Sequence, residues 1–194
     1  MLEIIAIIAV ILAIAIAIVL ILAATKPAVF RVQRAATVKA PAERILPLIN
    51  DFHQWVSWSP YEGKDPAMKR TYSGVESGKG AIYAWDGNKN VGSGRMEILD
   101  ASAPSKSAPS KIVIKLDFFA PFEGHNTAEF TMLPQDDATN LTTNVTTNVT
   151  WLMHGPAPFM HRVMQVFMNL DRMIGKDFEV GLANLKKLAE KQVS

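Results

Sequence analysis

The chain of 194 residues carries 20 Lys and Arg, 18 Asp and Glu and no Cys, which leaves a formal net charge of +2. The charges are interspersed and form no basic block, so we do not expect nucleic acid as a partner. The lack of Cys excludes disulfides, thiolate metal ligands and cysteine nucleophiles, and it is compatible with a reducing cytoplasm.

The first predicted element is an apolar helix. Residues Ile4–Ala24 contain no charge, proline or glycine. At about 1.5 Å per residue this stretch would span roughly 30 Å, which matches the hydrocarbon core of a bilayer. It also lacks the polar stripe of a helix that lies on the surface of a soluble domain. The sequence therefore predicts a membrane anchor over residues 1–25, with residues 26–194 as one domain.

A cleaved signal peptide is the alternative for this segment. Ala23–Thr25 could serve as a small-residue cleavage site, but no Lys or Arg precedes the run, and the run is longer than an ordinary signal-peptide core. Positive charges follow the helix instead, at Lys26, Arg31, Arg34 and Lys39. By the positive-inside tendency, we expect a single-pass membrane protein with its domain in the cytoplasm.

For the domain, the sequence predicts a strand, two short helices, six strands and a long helix, in that order. A strand is predicted over Val29–Lys39, and the two helices lie between Ala40 and Trp58, with breaks at Pro47 and Asn50–Asp51. The six strands are predicted over Met68–Ser73, Gly80–Trp85, Val91–Leu99, Ile112–Phe119, Asn126–Leu133 and Asn144–Met153, with a hairpin turn at Asp86–Asn88. This order favours an antiparallel meander.

The last predicted element is one helix from Pro158 to Lys191. Its apolar residues recur at spacings of three and four, and they are Val163, Val166, Phe167, Leu170, Ile174, Phe178, Leu182, Leu185 and Leu188. Gly175 and Gly181 would let this helix approach the sheet closely. A curved antiparallel sheet with the helix across its concave side is an α+β arrangement.

Two tandem duplications lie in the connections between strands. The five residues Ser102–Lys106 recur as Ser107–Lys111, and a four-residue Thr-Asn-x-Thr unit repeats over residues 139–150. Loop length costs little free energy, and a period of four keeps strand alternation in register. We therefore expect both repeats to lengthen connections without adding chemistry.

A set of aromatic, glycine and polar residues recurs across the domain in a familiar arrangement. Its members are Asn50–Phe52, Trp55, Trp58–Tyr61, Asp65–Pro66, Tyr72–Gly74, Gly78, Gly80, Tyr83, Trp85, Gly87–Asn88, Val91–Gly92, Gly94, Asp171–Glu179 and Gly181–Lys186. In these residues the domain resembles the polyketide cyclase/dehydrase-like branch of the START-like (SRPBCC) superfamily. The resemblance covers about residues 29–191. It implies a helix-grip fold with a cavity between the sheet and the C-terminal helix. It does not name an activity, because one fold hosts many functions.

The candidate ligand-binding residues are aromatic for the most part. They are Trp55, Trp58, Tyr61, Tyr83, Trp85, Met173 and Asp177. Aromatic side chains offer an apolar wall with a polar tip, and the pocket would be roofed by the Met164–Phe178 part of the last helix. The alternatives are ordinary core packing for the aromatic residues and a structural ion pair with a Lys or Arg for Asp177.

These features predict a membrane-tethered binding module for a small hydrophobic or amphipathic molecule, such as a lipid from the adjacent bilayer. One alternative is a cyclase- or hydrolase-type enzyme that uses Asp177, or Glu123 and His125, as acid–base groups. Another is an interaction module with a filled core. We expect no metal site, because the four His residues lack metal-ligand spacing, and no cofactor, because neither a phosphate loop nor a dinucleotide fingerprint is found.

Overall fold

The computed structural model describes residues 1–103, 109–135 and 145–191. Within these ranges the helices are α1 Leu2–Thr25, α2 Ala42–Asn50, α3 Phe159–Phe167 and α4 Leu170–Lys191, with a 3₁₀ helix at Phe52–Ser57. The strands are β1 Val29–Val38, β2 Lys69–Gly74, β3 Ala81–Asp86, β4 Ser93–Ser102, β5 Ser110–Ala120, β6 Gly124–Gln135 and β7 Thr146–Pro156.

The strands form one antiparallel sheet in the order β1-β7-β6-β5-β4-β3-β2. The predicted meander is confirmed, because β2 to β7 each pair with the next strand along the chain, and the predicted strands coincide with the observed ones to within a few residues. The first strand closes against the last, with Val29 opposite Pro156 and Val38 opposite Thr147. Helix α2 and the 3₁₀ helix connect β1, at one edge of the sheet, to β2, at the opposite edge.

The two short helices after β1 are held by two indole groups. The N–H groups of Trp55 and Trp58 donate to the carbonyl oxygens of Ile49 and Leu48 at 2.9 and 2.8 Å. Those carbonyls belong to the last turn of α2, where a helix has no internal partner for them. The break between the helices comes at Asp51, which accepts a hydrogen bond from the His53 N–H at 2.8 Å. Pro47, a predicted break, lies inside α2.

The second half of α4 packs tightly across one face of the sheet. Leu182, Leu185 and Ala189 are buried there. One turn earlier, the ring of Phe178 stacks on that of Trp151 from β7, with centroids 4.0 Å apart. A Cβ atom at Gly181 would lie 2.8 Å from the Trp151 ring, so this helix position has room only for glycine.

The prediction of a single C-terminal helix from Pro158 to Lys191 is wrong, because the helix is interrupted at Met168 and Asn169. Met168 has an extended backbone (φ −125°, ψ 133°). Asn169 follows as the N-cap of α4, and its side-chain oxygen accepts a hydrogen bond from the Arg172 N–H at 2.9 Å. No residue of α3 is buried. The apolar stripe that packs on the sheet is therefore confined to α4.

The apolar N-terminal segment forms α1, which lies apart from the sheet and approaches α3. Among the described residues it is the one helix long and apolar enough to span a membrane, although a signal sequence would have the same character. Ala23 is its single buried residue.

The duplicated segments lie partly outside the described residues, since the structure does not describe residues 104–108 and 136–144. The predicted side-chain alternation is confirmed where the second repeat enters β7. There Val149 and Trp151 face the core, while Asn148 and Thr150 are partly exposed.

The close approach of α4 to the sheet gives a stability prediction. Replacing Gly181 by Leu should lower the free energy of unfolding by about 1–3 kcal/mol, because the new side chain must displace Trp151 or Pro60. The matched control is Ala183→Leu, two residues later on the exposed side of α4, which should change little. Thermal unfolding of the full chain in detergent measures both, and equal effects would contradict the packing described here.

Candidate functional site

A cavity of about 390 Å³ lies between the sheet and the first half of α4. It forms because α4 packs directly on the sheet from Phe178 onward, whereas Met173 and Ile174 stay partly exposed. Its wall is mostly apolar, and the main contributors are Trp55, Tyr61, Met68, Tyr83, Trp85, Met96, Leu116, Phe118, Ala128, Trp151, Met153, Ile174 and Phe178.

Six of the seven predicted site residues line this cavity. They are Trp55, Tyr61, Tyr83, Trp85, Met173 and Asp177. Trp58 does not line it. Its ring is buried in the core against Trp55 and Trp151, with centroids 4.8 and 5.7 Å away. The helical segment that borders the cavity is shorter than the predicted Met164–Phe178. It is limited to Met173–Phe178 of α4, and no residue of α3 lines the cavity.

A buried carboxylate forms the polar part of the cavity wall. Glu62 accepts a hydrogen bond from the Tyr83 hydroxyl at 2.9 Å, and its other oxygen lies 2.6 and 2.7 Å from the Arg70 guanidinium. Burial and the neighbouring Glu62 raise the pKa of Tyr83, so its hydroxyl keeps its proton at physiological pH and serves as a donor. The charge of Glu62 is thus neutralised within the protein.

A second ion pair joins the two sides of the cavity near its opening. The Lys64 ammonium lies 2.6 Å from the Asp177 carboxylate of α4, and it also sits over the Tyr61 ring at 5.0 Å from the centroid. Burial, with a contribution from Asp177, raises the pKa of the Tyr61 hydroxyl. Asp177 therefore forms the structural ion pair that was the alternative prediction for it, and this pair is part of the cavity wall.

One polar group of a cavity-lining residue has no hydrogen-bond partner among the described residues. The indole N–H of Trp151 is buried and makes no hydrogen bond with the described residues, although the residue lines the cavity. A buried donor without an acceptor costs about 1–3 kcal/mol.

The mouth of the cavity is formed by the lining residues that are exposed to solvent. These are Lys64, Lys89, Asn90, Ala120, Pro121, Phe122 and Met173. They come from the segment between the 3₁₀ helix and β2, the β3–β4 loop, the end of β5 with the β5–β6 turn, and the start of α4. Glu123 and His125, which the enzyme alternative invoked, do not line the cavity; His125 instead bonds to Asp117 at 2.8 Å.

The sequence reasoning missed the strand residues of the wall, although strand alternation carries their signal. Leu116 continues the inward face set by Ile112 and Ile114, and Ala128 and Met153 hold equivalent positions on β6 and β7. Glu62 has no such signal, because it lies in an irregular segment between the 3₁₀ helix and β2. Its burial depends on Arg70 and Tyr83, which are brought to it by the sheet.

Several solved structures share this fold at low sequence identity. A hypothetical protein from Helicobacter pylori has a TM-score of 0.55 at 8% identity, over 82% of this chain and 88% of its own. Norcoclaurine synthase from Thalictrum flavum, solved as a point mutant with a transition-state analogue, has a TM-score of 0.51 at 10% identity, over 86% of this chain and 97% of its own. The di-domain ARO/CYC protein BexL has a TM-score of 0.50 at 11% identity, over 87% of this chain and 52% of its own.

These likenesses show the fold of the chain, which is a helix-grip fold. Seven antiparallel strands and the C-terminal helix are the parts that the resemblance in the sequence had implied. No protein-family model matches the chain, and no curated protein sequence matches it either. The fold alone does not assign an activity.

The Glu62 cluster gives a second stability prediction. Arg70→Met should lower the free energy of unfolding by about 3 kcal/mol, because it leaves a buried carboxylate without its cation. The double variant Arg70→Met/Glu62→Met should recover part of that loss. The control is Arg95→Met, whose partner Glu97 is a more exposed carboxylate and whose loss should cost about 1 kcal/mol or less. Denaturant unfolding distinguishes the two sites, and equal losses would contradict the role of Glu62.

Proposed function

We propose that the chain is a membrane-tethered binding module for a small amphipathic molecule. The observation that carries this proposal is the cavity itself, whose apolar wall contains few polar groups. Its volume of about 390 Å³ lies within the range of about 300–1,000 Å³ typical of small-molecule pockets. A core filled with side chains, as in a purely structural interaction module, would leave no such space.

The polar groups of the wall support an amphipathic ligand over a pure hydrocarbon. The wall includes the tyrosine Tyr61, and Lys64 offers a charged group near the mouth. A molecule with an apolar body and one or two oxygen acceptors would complement both. A fatty acid, a sterol and an isoprenoid alcohol all have this character.

The enzyme alternative has one supporting feature, since two carboxylates, Glu62 and Asp177, line the same cavity. Each of them is already paired with a cation, Arg70 for Glu62 and Lys64 for Asp177. A general base needs a free lone pair within reach of its substrate. The pairing favours binding over catalysis, and turnover of a bound molecule during the measurements below would reverse this preference.

The first test of the function is retention of a ligand. Native mass spectrometry of the full chain extracted in detergent should show a co-purified small molecule, or a single adduct after addition of dansyl-labelled undecanoic acid. Ala128→Leu should weaken adduct formation at least about tenfold, equivalent to about 1.4 kcal/mol, because the added atoms occupy the cavity.

The matched control for this test is Ala84→Leu, which makes the same change on the opposite face of the sheet. It should leave the adduct unchanged. A wild-type chain that forms no adduct, or two variants with equal effects, would contradict the binding proposal.

The second test concerns the tether and its direction. Because the positive charges follow α1 and none precedes it, alkaline phosphatase fused after Ser194 should be inactive in a bacterial host, while a fluorescent protein fused there should be active. High phosphatase activity, or a mature chain that begins near Thr25, would refute a cytoplasmic domain on an uncleaved anchor.

A further inference from the structure

The surface of α3 has the reverse of the polarity expected for a helix on a soluble domain. Its most exposed residues are apolar, with Met160 at 67% and Phe167 at 72% exposure. At 100° per residue these two side chains fall about 20° apart on the helix, so they form one apolar face. A helix on a water-soluble domain turns such a face toward the core.

The polar side chains of α3 lie on its other side. Arg162 and Gln165 are about 140–160° from Met160 around the helix axis. The Nε atom of Arg162 and the Nε2 atom of Gln165 are buried, and neither has a hydrogen-bond partner among the described residues. The helix therefore turns polar atoms inward and apolar atoms outward, which is stable when the outer medium is apolar.

The position of α3 beside α1 indicates what that medium is. The two helices approach each other, and Ala23, near the end of α1, is buried. The link to the sheet is short, since only Lys26, Pro27 and Ala28 separate α1 from β1, and the Ala157 N–H just before α3 donates to the Ala28 oxygen at 2.7 Å. An α1 that spans a bilayer would hold α3 at the bilayer surface.

The register of the sheet places the cavity mouth at the same end. Val29, the first residue of β1, pairs with Pro156, and the strand ends that follow across the sheet include Gly124 opposite Phe118 and Ser93 opposite Ala120. This anchor-proximal end of the sheet thus carries the β5–β6 turn. Phe122 in that turn is 60% exposed and lines the mouth.

We propose that α3 and the β5–β6 turn form a membrane-contacting surface, through Met160, Phe167 and Phe122, that seats the cavity mouth against the bilayer. The proposal rests on the proposed function in one respect, which is that α1 spans the membrane. The occupant of the surface is the headgroup and upper acyl region of the lipid, where amphipathic helices insert their apolar faces. A ligand would then pass between bilayer and cavity without crossing water.

The absence of Cys from the chain allows a direct test with single-Cys variants. The full chain carrying Met160→Cys, Phe167→Cys or Phe122→Cys is labelled with nitrobenzoxadiazole and reconstituted into vesicles of equal amounts of phosphatidylcholine and phosphatidylglycerol. Spin-labelled phosphatidylcholine is then added as a quencher. Emission should fall strongly at all three positions.

The controls are exposed apolar residues at the opposite end of the sheet. Val75 follows β2 and Leu133 lies near the end of β6, with exposures of 51% and 49%. Leu133 is nine residues from Gly124 along β6, a distance of roughly 30 Å. Labels at Val75→Cys and Leu133→Cys should lose no emission to the quencher.

A label at Ile14→Cys reports insertion of α1 separately. Quenching at Ile14 without quenching at Met160 and Phe167 would overturn the membrane-contacting surface and leave the anchor intact. A label at Met160→Cys whose emission is shifted to the blue but is not quenched by the spin-labelled lipid would also overturn the membrane-contacting surface. That result indicates contact with a second copy of the chain. An unquenched Ile14 would refute the anchor itself, and the inference with it, while the adduct measurement still decides ligand binding.

Discussion

The stack of Phe178 on Trp151 is the contact on which the rest of the domain depends. The ring centroids lie 4.0 Å apart, and the stack joins α4 to the middle of β7. Trp55, Trp58 and Phe130 pack around them in edge and tilted geometries, and such pairs add about 0.5–1.5 kcal/mol each beyond area burial. On one side of this aromatic layer α4 lies close to the sheet, and on the other side the cavity remains.

The electrostatics of the cavity follow from the same geometry. The carboxylates of the wall are neutralised by protein cations at short distances, 2.6 Å for both Lys64–Asp177 and Arg70–Glu62. What remains for a ligand is a broad apolar surface and a small number of donors. An uncompensated charge in such a site would cost several kcal/mol, so the pairing makes the wall compatible with the proposed amphipathic ligand.

Local signals in the sequence were sufficient for most of the fold. Short runs of residues separated by turn residues located the strands, and Asp86–Asn88 located the hairpin between β3 and β4. The break between α3 and α4 could not be found in this way, because spacings of three and four continue through Met168 and Asn169. In the structure α3 approaches α1 and has no buried residue, whereas α4 packs on the sheet, so the two helices do not share one apolar stripe.

By itself, the sequence determined the apolar helix and the antiparallel order of the strands, since these depend on composition and on periods of two and 3.6 residues. The expectation of a pocket came from the family resemblance. Tertiary structure alone decided which residues line the cavity. Trp58 and Trp55 are equally aromatic, but only Trp55 reaches the cavity, because Trp58 packs in the core against Trp151. Glu62 is part of the wall because Arg70 of β2 and Tyr83 of β3 bind its carboxylate there. Contacts between residues that are far apart in the sequence leave no local pattern in it, and these contacts decide which residues line the cavity.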